Sequence, residues 1–180
     1  LLLLGFALLT KGPAWSWTLQ LAPTSSFPPV FLAIDKSRQQ LYLMKQHSPL
    51  QVNREIKCST GKATGDKFKE GDLRTPEGVY FLEHKRTSGL NYALYGNLAF
   101  PLNFPTPIDR IRGKTGDGIW IHGRGTPLTS RGTRGCVALQ NPDIHSLGSE
   151  LALVKTPVII GRKVQWTQDD ISQNKVANTL

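Results

Sequence analysis

This chain is poor in sulfur, in histidine and in acid, and each shortage closes off a kind of chemistry. Its 180 residues hold two cysteines, one methionine and four histidines. Neither cysteine has another Cys or a paired His at ligand spacing, so a structural zinc site is excluded and no metal or cofactor is expected. No Gly-x-Ser-x-Gly elbow occurs, and Ser130 sits in a loop without one, which disfavours a serine hydrolase built on that turn. The apolar run Leu1 to Leu9 is far shorter than the roughly 20 residues needed to cross a bilayer, and nothing later resembles a membrane span. Only 13 acidic residues face 22 Lys and Arg, giving a net charge of +9 and a pI near 9.8. A basic surface favours polyanions. The bases are scattered, however, with no nucleic-acid-binding motif and no aromatic-plus-basic stripe. Nucleic acid is therefore not the expected partner, and a soluble basic protein working near anionic envelope polymers is.

What is present suits many short strands. Seventeen Gly and 12 Pro are spread along the whole length without repeats, a spacing that favours strands joined by turns over a helical bundle. Residues 1–16 read as the remnant of a secretory signal, an apolar run followed by small residues around Ala14-Trp15-Ser16. Residues 17–29, with four Ser/Thr and three prolines, read as a linker. A single domain is expected over 30–161, then a polar tail over 162–180. Strands are predicted at Val30–Asp35, Gln40–Met44, Val52–Thr60, Val79–Leu82, Gly118–His122 and Val158–Ile160, the first two forming a hairpin. Residues 88–118 read as a long aromatic loop lining or covering a site. One helix is predicted from Asn141 as N-cap, through Pro142 and Asp143, to about Val154. The fold class is mostly β with one or two short helices.

The chemistry concentrates in one segment. Gly118-Ile119-Trp120-Ile121-His122-Gly123 delivers a histidine at a strand end, and a Gly/Arg/Thr/Ser loop delivers Cys136 14 positions later. A thiol is nucleophilic as thiolate, so it needs a base or a field that lowers its pKa. His122 can supply the base, while Arg131 and Arg134 add positive charge. Gly135 permits a tight turn that aims backbone N–H groups at a developing oxyanion. Spacing alone leaves a purely structural Cys and His open.

At these residues the sequence resembles the L,D-transpeptidase catalytic domain family (YkuD-like), whose signature is a His-Gly followed by Ser/Thr-x-Gly-Cys. Here those are His122-Gly123 and Thr133-Arg134-Gly135-Cys136. The resemblance extends over about residues 30–161. It includes Ile34-Asp35 with Gln40-Leu41-Tyr42, Ser59-Thr60-Gly61-Lys62, Thr75-Pro76-Glu77-Gly78, and Pro107-Ile108-Asp109-Arg110 with Gly113-Lys114-Thr115-Gly116. It implies a β-sandwich and an exported enzyme of the periplasm or cell wall that acts on peptidoglycan stem peptides. Cys136 would form a thioester at the third-residue carbonyl, releasing D-alanine, with His122 as base oriented by a backbone carbonyl. The amides of Arg134, Gly135 and Cys136 would form the oxyanion hole, with Gly123, Thr133 and Arg131 beside them. An amine acceptor makes this a transpeptidase, and a water acceptor an L,D-carboxypeptidase. A wall-binding module that keeps the fold without catalysis is the third reading. Two departures stand out: Arg134 where many members have His, and Ala138 where many have Arg.

Cys58 reads as a buried structural thiol, with an inhibitory Cys58–Cys136 disulfide as the rival. His47, His84 and His145 are expected in surface or capping roles. Tyr92, Tyr95 and Phe100 form either a lid over the donor peptide or ordinary packing.

Overall fold

The computed structural model describes residues 30–45 and 50–165. The signal remnant, the linker, His47 and most of the polar tail lie outside the described residues. Val30–Asp35 (β1) and Gln40–Lys45 (β2) pair antiparallel as the predicted hairpin, Val30 opposite Lys45 and Asp35 opposite Gln40. The Asp35 carboxylate accepts from the amides of Ser37 and Arg38, an Asx-type turn that closes the hairpin. Gln51–Lys57 (β3) runs antiparallel to β2, with a register shift between Leu43 and Met44. Gly78–Phe81 (β4) and Pro157–Gly161 (β8) complete a five-stranded sheet in the order β3-β2-β1-β8-β4, where β8 lies parallel to β1.

Ala99–Pro101 (β5), Trp120–His122 (β6) and Val137–Ala138 (β7) form a second sheet, with β6 and β7 parallel. Both sheets face one core. Leu32, Ile34, Leu41, Leu43, Val158 and Ile160 of the large sheet share a cluster with Phe100, Ile121 and Val137 of the small one. Alternation along β1 and β2 sends Ala33, Tyr42 and Met44 to the opposite face, where Phe31, Val52 and Val164 cover them. The architecture is the expected β-sandwich.

Among the described residues there are three helices rather than one or two. Tyr92–Tyr95 (α1) and Pro107–Ile111 (α2) both fall in the stretch read as loop. Each is about one turn long, too short to show a periodic apolar stripe. A capping box between Thr106 and Asp109 starts α2, and Asn91 caps α1. Asn141–Gly148 (α3) starts as predicted at Pro142's first turn, but its N-cap is Gln140 and it stops six residues before Val154. The Asn141 side chain instead fills the space over Gly96 and Gly123. Ile144 and Leu147 are the face α3 buries.

The loop between β3 and β4 is held by three buried lysines. Lys36 Nζ donates to the carbonyls of Gly65 and Thr75, each at 2.6 Å, and to Glu77 Oε1 at 2.9 Å. Lys67 Nζ donates to Lys69 O at 3.1 Å and Asp72 Oδ1 at 3.0 Å. Lys114 pairs with Asp66 at 2.8 Å and Asp109 at 3.1 Å, tying the loop to α2. A buried ammonium is tolerated only when paired and hydrogen-bonded, so these pairs fix where the loop lies.

Candidate active site

The cysteine turn is built from its own threonine. Thr133 Oγ1 donates to the Cys136 carbonyl at 2.7 Å and accepts the Gly135 N–H at 3.1 Å. Its backbone bridges to the strand end after β3: Thr133 N–H donates to Thr60 O at 3.1 Å, and Lys62 N–H donates to Thr133 O at 3.0 Å. Ser59 Oγ donates to Thr129 O at 2.6 Å and accepts the Gly132 N–H at 2.8 Å. The Ser59-Thr60-Gly61 motif is therefore the cradle of the loop that carries Cys136. Gln39 extends it, its Oε1 accepting the N–H groups of Arg131 at 2.8 Å and Thr60 at 3.0 Å. Gly135 has φ 142°, and a Cβ there would stand 2.9 Å from Arg74 O and 3.1 Å from Ile119 Cδ1. Only glycine fits.

Strand pairing brings the two candidate catalytic side chains together. His122 on β6 stands opposite Ala138 on β7, and Cys136 lies immediately before β7, two residues from Ala138. Both line one cavity of about 310 Å³, with Lys62, Tyr95, Arg124 and Arg134 in its wall. His122 Nδ1 lies 2.6 Å from the Gly123 carbonyl. A carbonyl can only accept, so Nδ1 carries the proton and Nε2 is left with a free lone pair. The ring of Tyr95 packs edge-on to His122 with centroids 5.1 Å apart, and also lies against Trp120.

Burial pushes His122 down to about 4, the Arg124 charge adds to this, and the Gly123 carbonyl opposes it. Burial pushes the Cys136 thiol up, against the pull of the Trp120 N–H and the Lys67 charge. Its Sγ donates to Gly118 O at 3.4 Å. Burial thus disfavours the charged form of each side chain.

The remaining predicted residues divide. Gly123 supplies the carbonyl that orients His122, and Thr133 staples the turn. Arg134 is exposed and lines the cavity. The Gly135 amide donates to Thr133 Oγ1 at 3.1 Å. Arg131 lines a separate cavity of about 360 Å³ with Lys36 and Arg162. Arg131 has φ 52°, and its backbone N–H donates to Gln39 Oε1 at 2.8 Å. Ala138 is fully buried in β7.

Cys58 is a free, buried thiol of the core, pushed up to about 12 by burial, and Cys136 is also free. His84 is exposed. His145, in the last turn of α3, meets Asn97 Oδ1 at 2.6 Å. Phe100 is core, Tyr92 is 60% exposed, and Tyr95 alone of the three aromatics touches the site. Sequence reasoning did not single out Gln39, Ser59 as a loop anchor, Arg124 or Lys67. Ser59 sat inside a quoted motif, while Gln39 and Lys67 act through contacts too distant in sequence to be read.

The L,D-transpeptidase catalytic domain profile (YkuD) matches residues 29–160. The chain belongs to the L,D-transpeptidase catalytic domain family. Among solved structures it is similar to Bd1075 of Bdellovibrio bacteriovorus, 30% identical, with a TM-score of 0.70, covering 88% of this chain and 60% of that one. It is also similar to Pgp2 of Campylobacter jejuni, a helical cell shape determining protein, 33% identical, with a TM-score of 0.67, covering 79% of this chain and 51% of that one. An L,D-transpeptidase from Xylanimonas cellulosilytica, 22% identical with a TM-score of 0.51, covers 77% of this chain and 63% of that one and shares the fold. The chain thus spans between half and two thirds of the length of these relatives. A comparison with curated proteins gave no match. Among the described residues no helix is long and apolar enough to cross a membrane.

Proposed function

We propose that this protein is a cysteine-dependent L,D-transpeptidase of peptidoglycan stem peptides, exported to the periplasm or cell wall. The observation that supports the reading is that Cys136 and His122, whose Nδ1 is held at the Gly123 carbonyl, line one cavity. As Cys136 Sγ bonds to the carbonyl carbon of the third stem residue, its proton passes to His122 Nε2. The amides of Cys136 and Arg134 face the developing oxyanion, a kind of contact worth roughly 3 kcal/mol per donor. The C–N bond breaks, His122 returns the proton to the departing D-alanine amine, and a thioester remains. An amine acceptor then attacks the thioester, loses its proton to His122, and Cys136 recovers it. The cationic wall of Lys62, Arg124 and Arg134 suits the carboxylate that the leaving D-alanine carries.

Incubation with tetrapeptide-containing muropeptides tests this. Dimers linked 3→3 are expected. Tripeptides alone would make the protein an L,D-carboxypeptidase, and unchanged substrate that nevertheless binds would make it a wall-binding module. Cys136→Ala should abolish turnover, while Cys58→Ala should leave it within about twofold, because Cys58 lines neither cavity at the nucleophile.

A further inference from the structure

The cavity of about 360 Å³ that Arg131 lines contains neither Cys136 nor His122, and its wall carries three cations and no acid. Four segments converge on it. Lys36 and Ser37 come from the β1–β2 turn, Thr64 and Gly65 from the loop between β3 and β4, Arg131 from the loop before Cys136, and Arg162 from the position after β8. Backbone bonds fix these walls. Lys36 N–H donates to Gly161 O at 3.0 Å and Ser37 N–H to Arg162 O at 2.8 Å. Gln39 joins the Arg131 loop to the same turn, its Oε1 accepting from the Arg131 N–H while its Nε2 donates to Lys36 O at 2.8 Å. Lys36 already has its partners, since its ammonium donates to Gly65 O, Thr75 O and Glu77 Oε1. The two arginines do not. Among the described residues neither guanidinium has a hydrogen bond or an ion pair. Burial pushes Lys36 down, Glu77 and Asp66 oppose this, and the Arg131 charge adds to the push, so Arg131 stands close enough to repel the ammonium.

Like charges held together by the fold repel one another until an anion joins them. We propose that this cavity binds a phosphate group, bridged between the guanidinium groups of Arg131 and Arg162, with the hydroxyls of Ser37 and Thr64 beside it. Each guanidinium presents a two-donor fork. A carboxylate has two oxygens and is filled by one fork, whereas a phosphate offers further oxygens to a second fork and to hydroxyls. A phosphate dianion also balances the two unpaired charges, Lys36 being matched by Glu77. The cavity of about 680 Å³ beside Cys58 has no such excess, because Glu55 and Asp143 stand there with Arg38 and Lys57. The volume at Arg131 accommodates the phosphate with part of the group that carries it. A small soluble phosphate and the headgroup of an anionic phospholipid share this chemistry. Phosphate capture here is independent of the reaction proposed above.

The test is thermal unfolding of the whole chain in inorganic phosphate against sodium chloride of equal ionic strength, at neutral pH. A saturable rise in Tm with phosphate is expected. Neither guanidinium makes a bond within the fold, so the variants Arg131→Gln and Arg162→Gln fold. Each should weaken the apparent phosphate affinity at least about 10-fold, the range of a hydrogen bond to a charged group. Arg131→Lys and Arg162→Lys, which keep the charge and lose the fork, should keep part of it. Lys57→Gln removes a charge from the cavity beside Cys58, and Arg124→Gln removes one from the wall of the His122 cavity. Both should leave the affinity within about twofold. Co-sedimentation with phosphatidylglycerol vesicles separates the two sources. Vesicle binding that inorganic phosphate competes away, and that the two Gln variants lose, marks a lipid headgroup; a Tm response without vesicle binding marks a small soluble phosphate. No phosphate-specific rise in Tm, or a rise that Lys57→Gln or Arg124→Gln diminishes as much as the Arg131 and Arg162 variants do, overturns the proposal.

Discussion

Cys136 and His122 are both driven toward their uncharged forms by burial, and the consequences are measurable. A preformed thiolate–imidazolium pair would let iodoacetamide alkylate Cys136 at a rate already flat between pH 5 and 8. Burial, which pushes the Cys136 thiol above the ordinary thiol range, predicts instead a rate that still climbs with pH at alkaline values. A plateau at acidic pH would contradict it. His122 also couples to stability. Its folded pKa of about 4 lies below its ordinary 6.5, so the unfolded chain takes up a proton that the fold refuses. The contribution is fully present above pH 6.5 and is lost as pH falls toward 4, to an extent on the order of 3 kcal/mol. The urea midpoint of the unsubstituted protein should therefore fall more steeply across that window than that of His122→Gln. Parallel slopes would show the histidine to be solvated in the fold.

The decisive element is the turn 133–136, clamped between the Ser59-Thr60-Gly61 strand end and the Arg74 carbonyl. Gly135→Ala should be costly twice over. Forcing an L side chain to φ 142° costs about 1–3 kcal/mol, and the collision with Arg74 O must shift the sulfur. A displacement of about 1 Å at the nucleophile is expected to lower kcat by roughly 100-fold, with a lowered Tm. Wild-type turnover in Gly135→Ala would mean that the turn does not position the thiol. This turn was legible in the sequence because glycine, threonine and cysteine stand within four residues of one another. So were β1, β2 and their hairpin, where alternation and an Asp-containing turn coincide. The short strands β5 and β7 and the one-turn helices α1 and α2 were not, since two to five residues carry no period. Arg131 is close to Cys136 in sequence, yet it lines a different cavity, a placement that sequence distance does not carry. Lys67 is 69 positions before Cys136. Only the salt bridges that fold its loop back onto the small sheet bring it to the sulfur.

At the scale of the molecule, a five-stranded sheet supplies mass and the three-stranded sheet carries His122 and leads from Cys136. The shared core makes the two interdependent. Ile121 is fully buried between the residues that carry the site, and Ile121→Ala should cost about 2–5 kcal/mol. The net charge of +9 belongs to the same scale, since it favours residence among anionic polymers without specifying any contact. The family profile and the sandwich place the chain among L,D-transpeptidase catalytic domains, and two cavities meet at Cys136. The central claim is that one sulfur carries the acyl group. Intact-protein mass spectrometry after brief exposure to a tetrapeptide donor, followed by peptide mapping, reads this directly. The expected result is a hydroxylamine-labile adduct, with the mass of the donor less D-alanine, on the peptide containing Cys136. Product formation with that peptide unmodified, and undiminished in Cys136→Ala, would contradict the account.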